Sequence, residues 1–384
     1  MTVRWVVAVV VLNLIGYKGS KVLLSLDALD LGASQATIGV LIALYSVFPL
    51  VLAVPVGRLV DRTGYFWAIL GGTAGSAAGL LVPKFVPGTA GLALSALAIG
   101  LSFAFFQVSV QAVIGALGTE QSRTRDYLTF SLGPATASFL GPLVAGFGTD
   151  HFGTRTSYAV LAGIGILGTV LFALLRRRIP PPVIGAAKGE RQAADLVRDP
   201  KLLRMLIVSG LVITAIELFI FYLPIYGRSI GLSASWIGAI LAAYAAATFV
   251  VRIVIPAFNR RASVETILTV AMFGAAATYL LFPFFHNPWL LLAIAFTLGL
   301  GLGCGQPLSI VLAFNRAPAG RSSEVLGMRI TANKLTEVLC PLLFGTLGAA
   351  AGIAAVFVSN ALLLAGGGFV NRIDSRGSVP GGKT

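Results

Sequence analysis

Charge is scarce in this chain of 384 residues: Asp, Glu, Lys and Arg together supply 11% of it, and there are only two histidines and two cysteines. The cysteines, Cys304 and Cys340, both stand inside apolar stretches with no Cys-x-x-Cys or metal-ligand spacing, which argues against a disulfide framework and a zinc site. There is no nucleotide-binding glycine loop, no His cluster, no carboxylate pair at metal-binding spacing and no Ser/His/Asp order. Neither an enzyme nor a self-contained ATP-driven pump is indicated, and no metal or cofactor is expected. Acidic residues are half as many as basic ones, 14 against 28, for a formal net charge of +14. That balance would suit nucleic acid, but the Lys and Arg residues sit almost entirely in alternate connections between apolar segments, so nucleic acid is not an expected partner.

What is abundant is apolar surface. Hydrophobic residues make up 57% of the chain and the mean hydropathy is +0.91, more than a water-soluble domain can hide. Apolar runs of about 20 residues, the length that crosses a bilayer, succeed one another almost without pause. Bounded by charge, Pro or Gly, they predict helices over 3–27, 35–59, 65–83, 88–117, 125–149 and 155–175, then 202–227, 234–258, 264–285, 288–315, 325–349 and 351–371. The fold class is therefore all-α integral membrane, with twelve transmembrane helices. Only Arg4 precedes the apolar run from Trp5 to Ile15, and no small-residue cleavage site interrupts the residues after it, so this segment reads as a retained first helix.

On that helix count Arg4, Arg58, Arg62, Arg123, Arg125, the 176–204 connection, Arg260, Arg261, Arg316, Arg321 and the C-terminal tail share one side, while only Lys84, Arg155 and Arg228 fall in connections on the other. Cytoplasmic loops retain Lys and Arg, so both termini are expected in the cytoplasm. The longest connection opens Arg176-Arg177-Arg178-Ile179-Pro180-Pro181-Pro182 and reads as a linker. The expected organisation is a six-helix half over 1–175, a linker over 176–201, a second six-helix half over 202–372 and a tail over 373–384.

The halves repeat. Adding 199 to the numbers of the first half pairs Gly32 with Gly231, Ser34 with Ser233, Ile38 with Ile237, Gly39 with Gly238, Ala43 with Ala242 and Tyr45 with Tyr244. The same offset joins Pro142 to Pro341, Gly146 to Gly345, Gln107 to Gln306 and Lys18 to Glu217. Shared apolar composition does not explain matches at one offset, and a duplication does. Two halves related along the membrane normal are a plan used by transporters that rock about a site near the midplane, which places the expected function between the halves.

Two motifs narrow this. Gly57-Arg58-Leu59-Val60-Asp61-Arg62-Thr63-Gly64 resembles the loop signature of the major facilitator superfamily, with Tyr65-Phe66 standing where a basic pair is usual. The resemblance implies two pseudo-symmetric six-helix bundles, and a cytoplasmic gate of Gly57, Asp61, Arg62 and Gly64. In that gate Asp61 would accept hydrogen bonds from a helix N-terminus or an arginine, and Arg329 is a candidate partner. The second copy of the loop carries Asn259-Arg260-Arg261 in place of Val60-Asp61-Arg62, so a lock there would be differently made. In the fifth helix, Gly133-Pro134 and Gly141-Pro142-Leu143-Val144-Ala145-Gly146 resemble the signature of the superfamily's antiporter branch, with Ser138 and Ala145 replacing two of its glycines. Small residues permit close helix approach and prolines bend helices, which would seal the cavity against proton leak, ordinary packing being the plainer account.

Charges at membrane depth cost about 3 to 17 kcal/mol by different measures and normally face protein or a water-filled cavity. Lys18, Lys21, Glu217, Lys334 and Glu337 need that explanation. The resemblance implies that the first, fourth, seventh and tenth helices line the cavity. It thereby groups Lys18, Lys21, Gln107, Glu217 and Gln306 around a solute, with Asn13, Tyr17, Gln111 and Tyr222 able to join them and Lys334 as a further basic contact. Glu217 and Glu337 are the proton-coupling candidates, because burial raises a carboxyl pKa and a neighbouring Lys lowers it. A structural pairing of Lys18 with Glu217 remains the alternative for those two. Asp27 and Asp30, near the outer end of the first helix, read as structural, and His151 and His286 as surface groups.

The expected activity is transport of a small organic solute by proton-coupled antiport, meaning export. Proton-coupled symport of a small organic anion such as a carboxylate is the alternative. The expected partners are an anionic or zwitterionic small molecule, the proton and the lipid bilayer, in a functional monomer of the bacterial inner membrane.

Overall fold

A computed structural model describes residues 3–117, 123–176, 200–258, 263–316 and 322–376. In chain order the helices are α1 (Val3–Asp30), α2 (Gln35–Thr63), α3 (Tyr65–Phe85), α4 (Thr89–Leu117), α5 (Arg123–Phe152) and α6 (Thr154–Leu174). They continue as α7 (Pro200–Ser229), α8 (Ala234–Phe258), α9 (Val264–Leu281), α10 (Pro288–Arg316), α11 (Ser322–Ala351) and α12 (Ile353–Arg376), with a short 3-10 turn at Phe282–Phe284. Twelve helices are long and apolar enough to cross a membrane, and no strand occurs among the described residues. Hydrocarbon offers a backbone no hydrogen-bond partner, so a spanning segment must satisfy its own N–H and C=O groups, as a helix does.

The repeat read from side chains recurs in the backbone. Gln35 and Ala234, Tyr65 and Val264, Thr89 and Pro288, Arg123 and Ser322, and Thr154 and Ile353 begin successive helices of the two halves, each pair 199 residues apart. Gly32 and Gly231, and Gly153 and Gly352, are paired at the same offset and turn the chain with φ of +73, +79, +78 and +83°, a conformation that costs glycine little and other residues more. Ser34 accepts a hydrogen bond from the Thr37 N–H at 3.2 Å, and its counterpart Ser233 from the Trp236 N–H at 3.4 Å. These are N-caps for α2 and α8.

The chain forms two compact units, one of Met1–Lys188 with Ile220–Ala242 and one of Gly189–Phe219 with Ala243–Thr384. In the first, α3 packs on α4 and α6, α1 on α5 and α6, and α2 on α4. In the second, α9 packs on α10 and α12, and α11 on α10 and α12. Small residues set the spacing, since apolar association inside lipid gains nothing from expelling water and depends on close contact. A Cβ built on Gly72 of α3 would lie 2.8 Å from the Ser102 carbonyl oxygen and 2.9 Å from Phe106 Cβ, both on α4. The neighbouring Gly71 faces nothing within 4 Å.

These two glycines make a test. Gly71→Ala is expected to raise the thermal midpoint of the detergent-purified protein slightly, because Ala is favoured in a helix by about 1 kcal/mol. Gly72→Ala is expected to lower it, since two helix backbones must separate at a cost of about 1–3 kcal/mol. Equal midpoints for the two variants would show that α3 and α4 are not held at this distance.

Candidate functional site

In the first unit, α1 carries a polar stripe through an apolar helix. Asn13, Ser20 and Asp27 recur every seven residues, which returns to the same helix face, with Tyr17 and Lys21 beside them. Asn13 is 1% exposed, and neither its amide nitrogen nor its amide oxygen has a hydrogen-bond partner. Tyr17 stacks on Phe103 of α4 at 4.0 Å between ring centroids and meets Tyr45 of α2 edge-on at 5.8 Å. Lys21 is 6% exposed, and its ammonium lies over the Tyr17 and Tyr45 rings at 5.4 and 6.0 Å. A cation over desolvated aromatic faces is stabilised by their quadrupoles. The Tyr45 hydroxyl donates to Ser20 Oγ at 3.1 Å, and Ser20 donates to the Tyr17 carbonyl at 2.9 Å. Tyr17 and Lys21 are thus brought together. The participation of Ser20 and Tyr45 carries no signal in the sequence, where Tyr45 is a repeat identity without a role.

The glycines of α5 carry its packing in this unit. A Cβ on Gly133 would come within 2.9 Å of Val10 Cγ1, and one on Gly141 within 2.9 Å of Lys18 Cβ and the Gly19 nitrogen. Lys18 therefore leaves α1 where α5 packs against it. Further along, a Cβ on Gly146 would collide with the Ala234 carbonyl oxygen, and one on Gly238 would lie 2.5 Å from the Pro142 carbonyl oxygen. These glycines hold α5 and the start of α8 backbone to backbone. Asp150, at the end of α5, completes that junction. Its two carboxylate oxygens accept the N–H groups of Ala234 at 3.1 Å and Ser235 at 2.7 Å, unpaired donors of the first turn of α8 that carry its positive dipole end.

At the same end of this unit, Tyr222, fully buried on α7, donates to Gln35 Oε1 at 2.8 Å. Arg228 pairs with Asp30 at 3.4 Å. Asp27, Arg155 and Tyr158 line a cavity of about 80 Å³ beside the α3–α4 turn. On α4, Gln107 is half-buried and Gln111 exposed.

In the second unit, Glu217 on α7 is half-buried and interacts electrostatically with the buried Tyr244 of α8. Lys334 and Glu337 form an ion pair one turn apart on α11, the ammonium donating to both carboxylate oxygens at 2.9 and 2.8 Å. Their side chains are 19% and 16% exposed. Gln306 is half-buried on α10. Its carbonyl accepts from Arg329 at 3.3 Å, and Arg329 also donates to Ser309 Oγ at 2.7 Å. Arg329 is 4% exposed, so α11 is tied to α10 by a buried guanidinium. Of the proposed gate loop, Gly57 and Arg62 end α2 and Gly64 turns with φ of +83° into α3. The side chain of Asp61 lies outside the described residues.

The family model for the Major Facilitator Superfamily matches residues 6–336. The chain belongs to the Major Facilitator Superfamily. The multidrug resistance protein MdtG of Dickeya zeae (strain Ech586) is 25% identical over 330 residues, covering 84% of this chain and 80% of that protein. The inner membrane transport protein YajR of Escherichia coli (strain K12) is 27% identical over 180 residues, covering 45% of this chain and only 38% of the relative. Among solved structures, a bacterial homologue of the human lysosomal transporter Spinster aligns with a TM-score of 0.78 at 14% identity, over 97% of this chain and 96% of that one. A POT family transporter in complex with a thioalcohol-conjugated peptide aligns with a TM-score of 0.81 at 12% identity, over 98% and 96%. These likenesses show the superfamily fold. With the twelve apolar helices, they make the chain an integral membrane transporter and not an enzyme.

The α11 pair predicts a thermodynamic signature. Removing one partner leaves the other charge partly buried without this contact, whereas removing both does not. Lys334→Ala is therefore expected to lower the thermal midpoint more than the double variant Lys334→Ala/Glu337→Ala. A double variant that sums the two single losses would mean that the charges are solvated independently.

Proposed function

We propose that this superfamily member is a secondary active transporter that exports a small anionic or zwitterionic organic solute in exchange for protons, by alternating access. The observation that carries the coupling is the Lys334–Glu337 ion pair inside an apolar span. Charges at that depth are costly, pair with one another and mark ion or proton pathways. Glu217, beside Tyr244, is the first-choice proton carrier and Glu337 the second. In the first unit the solute-facing candidates are Asn13, Tyr17, Lys18, Lys21, Gln107, Gln111 and Tyr222; in the second they are Gln306 and Lys334. The direction rests on the close α5 packing at Gly133, Gly141, Pro142 and Gly146, and on the likeness to proteins named for multidrug resistance. Gly57, Asp61, Arg62, Gly64 and Arg329 belong to the cytoplasmic gate in this reading. The protein works as a monomer in a bacterial inner membrane with both termini in the cytoplasm, as the basic connections favour.

A second reading is proton-coupled uptake of a small organic anion. It is favoured by Lys21, a buried ammonium at the polar stripe of α1.

A thermal-shift screen of the purified protein against organic acids, amino acids, sugars and cationic drugs identifies the solute class, since binding to the folded state raises its midpoint. With that solute labelled, vesicles under an imposed pH gradient separate the readings: export moves it against the proton flow, uptake with it. Glu217→Gln is expected to abolish gradient-driven transport while solute exchange persists; unchanged gradient-driven transport removes Glu217 from the coupling. Lys21→Gln is expected to weaken apparent affinity for an anionic solute about tenfold or more, the loss of one charge-assisted contact. An unaltered affinity means that Lys21 does not hold the solute.

A further inference from the structure

The chain of hydroxyls that joins Tyr17, Ser20 and Tyr45 does not stop at Tyr45. Tyr158 of α6 is 1% exposed, and its hydroxyl has no hydrogen-bond partner, an arrangement that is costly unless water or a ligand completes it. That hydroxyl interacts electrostatically with both Tyr45 and Asp27. Tyr158, Asp27 and Arg155 also line the cavity of about 80 Å³ beside the α3–α4 turn, roomy enough for water and polar enough to hold it. From Tyr45 the donors are already aligned, Tyr45 giving its proton to Ser20 and Ser20 to the Tyr17 carbonyl, and the rings of Tyr45 and Tyr17 face the Lys21 ammonium at 6.0 and 5.4 Å.

We propose that Asp27, Tyr158, Tyr45 and Ser20 form a proton path, completed by water from this cavity, that ends at Lys21. A proton taken up by the Asp27 carboxylate passes through cavity water to the Tyr158 oxygen as Tyr158 hands its own proton to the water that bridges it to Tyr45. The bridging water protonates the Tyr45 oxygen as Tyr45 hands its own proton to Ser20. Ser20 turns from the Tyr17 carbonyl and gives its proton to the unprotonated Lys21 amine. Each oxygen gains one proton and loses one, so the net change is one proton from the cavity and one new N–H bond on Lys21. The charged and titratable groups facing Asp27 are Asp30 on its own helix and Arg155 and Tyr158 on α6. Those facing Tyr45 are Tyr17, Lys21 and Tyr158. The path rests on the proton-coupled reading above and adds to it an entry route separate from Glu217 and Glu337.

The test uses full-length protein in liposomes on a solid-supported membrane, with a rapid pH jump and no organic solute, reading the charge displaced by protons. Tyr158→Phe and Ser20→Ala are each expected to slow that displacement by about tenfold or more, the scale of losing a positioned proton-transfer group. Ser76→Ala, which removes another buried, unpartnered hydroxyl on α3, is expected to leave it unchanged. Because no protein group bonds the Tyr158 hydroxyl, Tyr158→Phe is expected to leave the thermal midpoint close to that of wild type, so a slow variant with an unchanged midpoint is not ascribed to unfolding. If Tyr158→Phe and Ser20→Ala both match wild type while Glu217→Gln abolishes the signal, the path is overturned and the coupling reading stands. If wild-type protein displaces no charge while solute transport persists, both fall.

Discussion

Hydrocarbon supplies no hydrogen bonds, and most of this structure is a response to that lack. The backbone answers it by forming helices wherever it spans. Side chains answer it by keeping charge out of apolar runs, so that the few ionisable groups left inside must find partners in the protein. Lys21 lies on two aromatic rings, Lys334 on a carboxylate and Arg329 on a serine and a carbonyl. Helix spacing is then left to contact alone, which is why Gly72, Gly141 and Gly238 stand where a methyl group would collide with a neighbouring helix.

Much of the fold was legible because its determinants are local. Runs of apolar residues ended by charge, Pro or Gly located the helices, and α4 and α8 end close to where the apolar pattern stops. The largest disagreement is at the tail of α12, which continues to Arg376. Charged residues after Val370 looked like an exit from the membrane, but a helix can continue into water on its own hydrogen bonds. The offset of 199 is visible in side chains and recurs in the backbone, where five helix starts and the turn glycines Gly32/Gly231 and Gly153/Gly352 coincide.

The candidate site was legible only in part. Lys334 and Glu337 are one turn apart on a single helix, so spacing alone predicts their pairing. The triad of Tyr45, Ser20 and Tyr17 joins two helices, and no period along the chain predicts which hydroxyl reaches across. Arg329 donates to a hydroxyl and a main-chain carbonyl of α10, partners that any sequence has in plenty, while the side chain of Asp61, expected to face it, lies outside the described residues.

The Asp150 junction has the same character. The carboxylate grips two main-chain N–H groups at the start of α8, while the residue 199 positions later is Ala349, which carries no acid. The main-chain part of this contact survives a change of side chain at 235, while Asp150 is constrained. In a family of related sequences this junction would leave a solitary invariant acid with no co-varying mate.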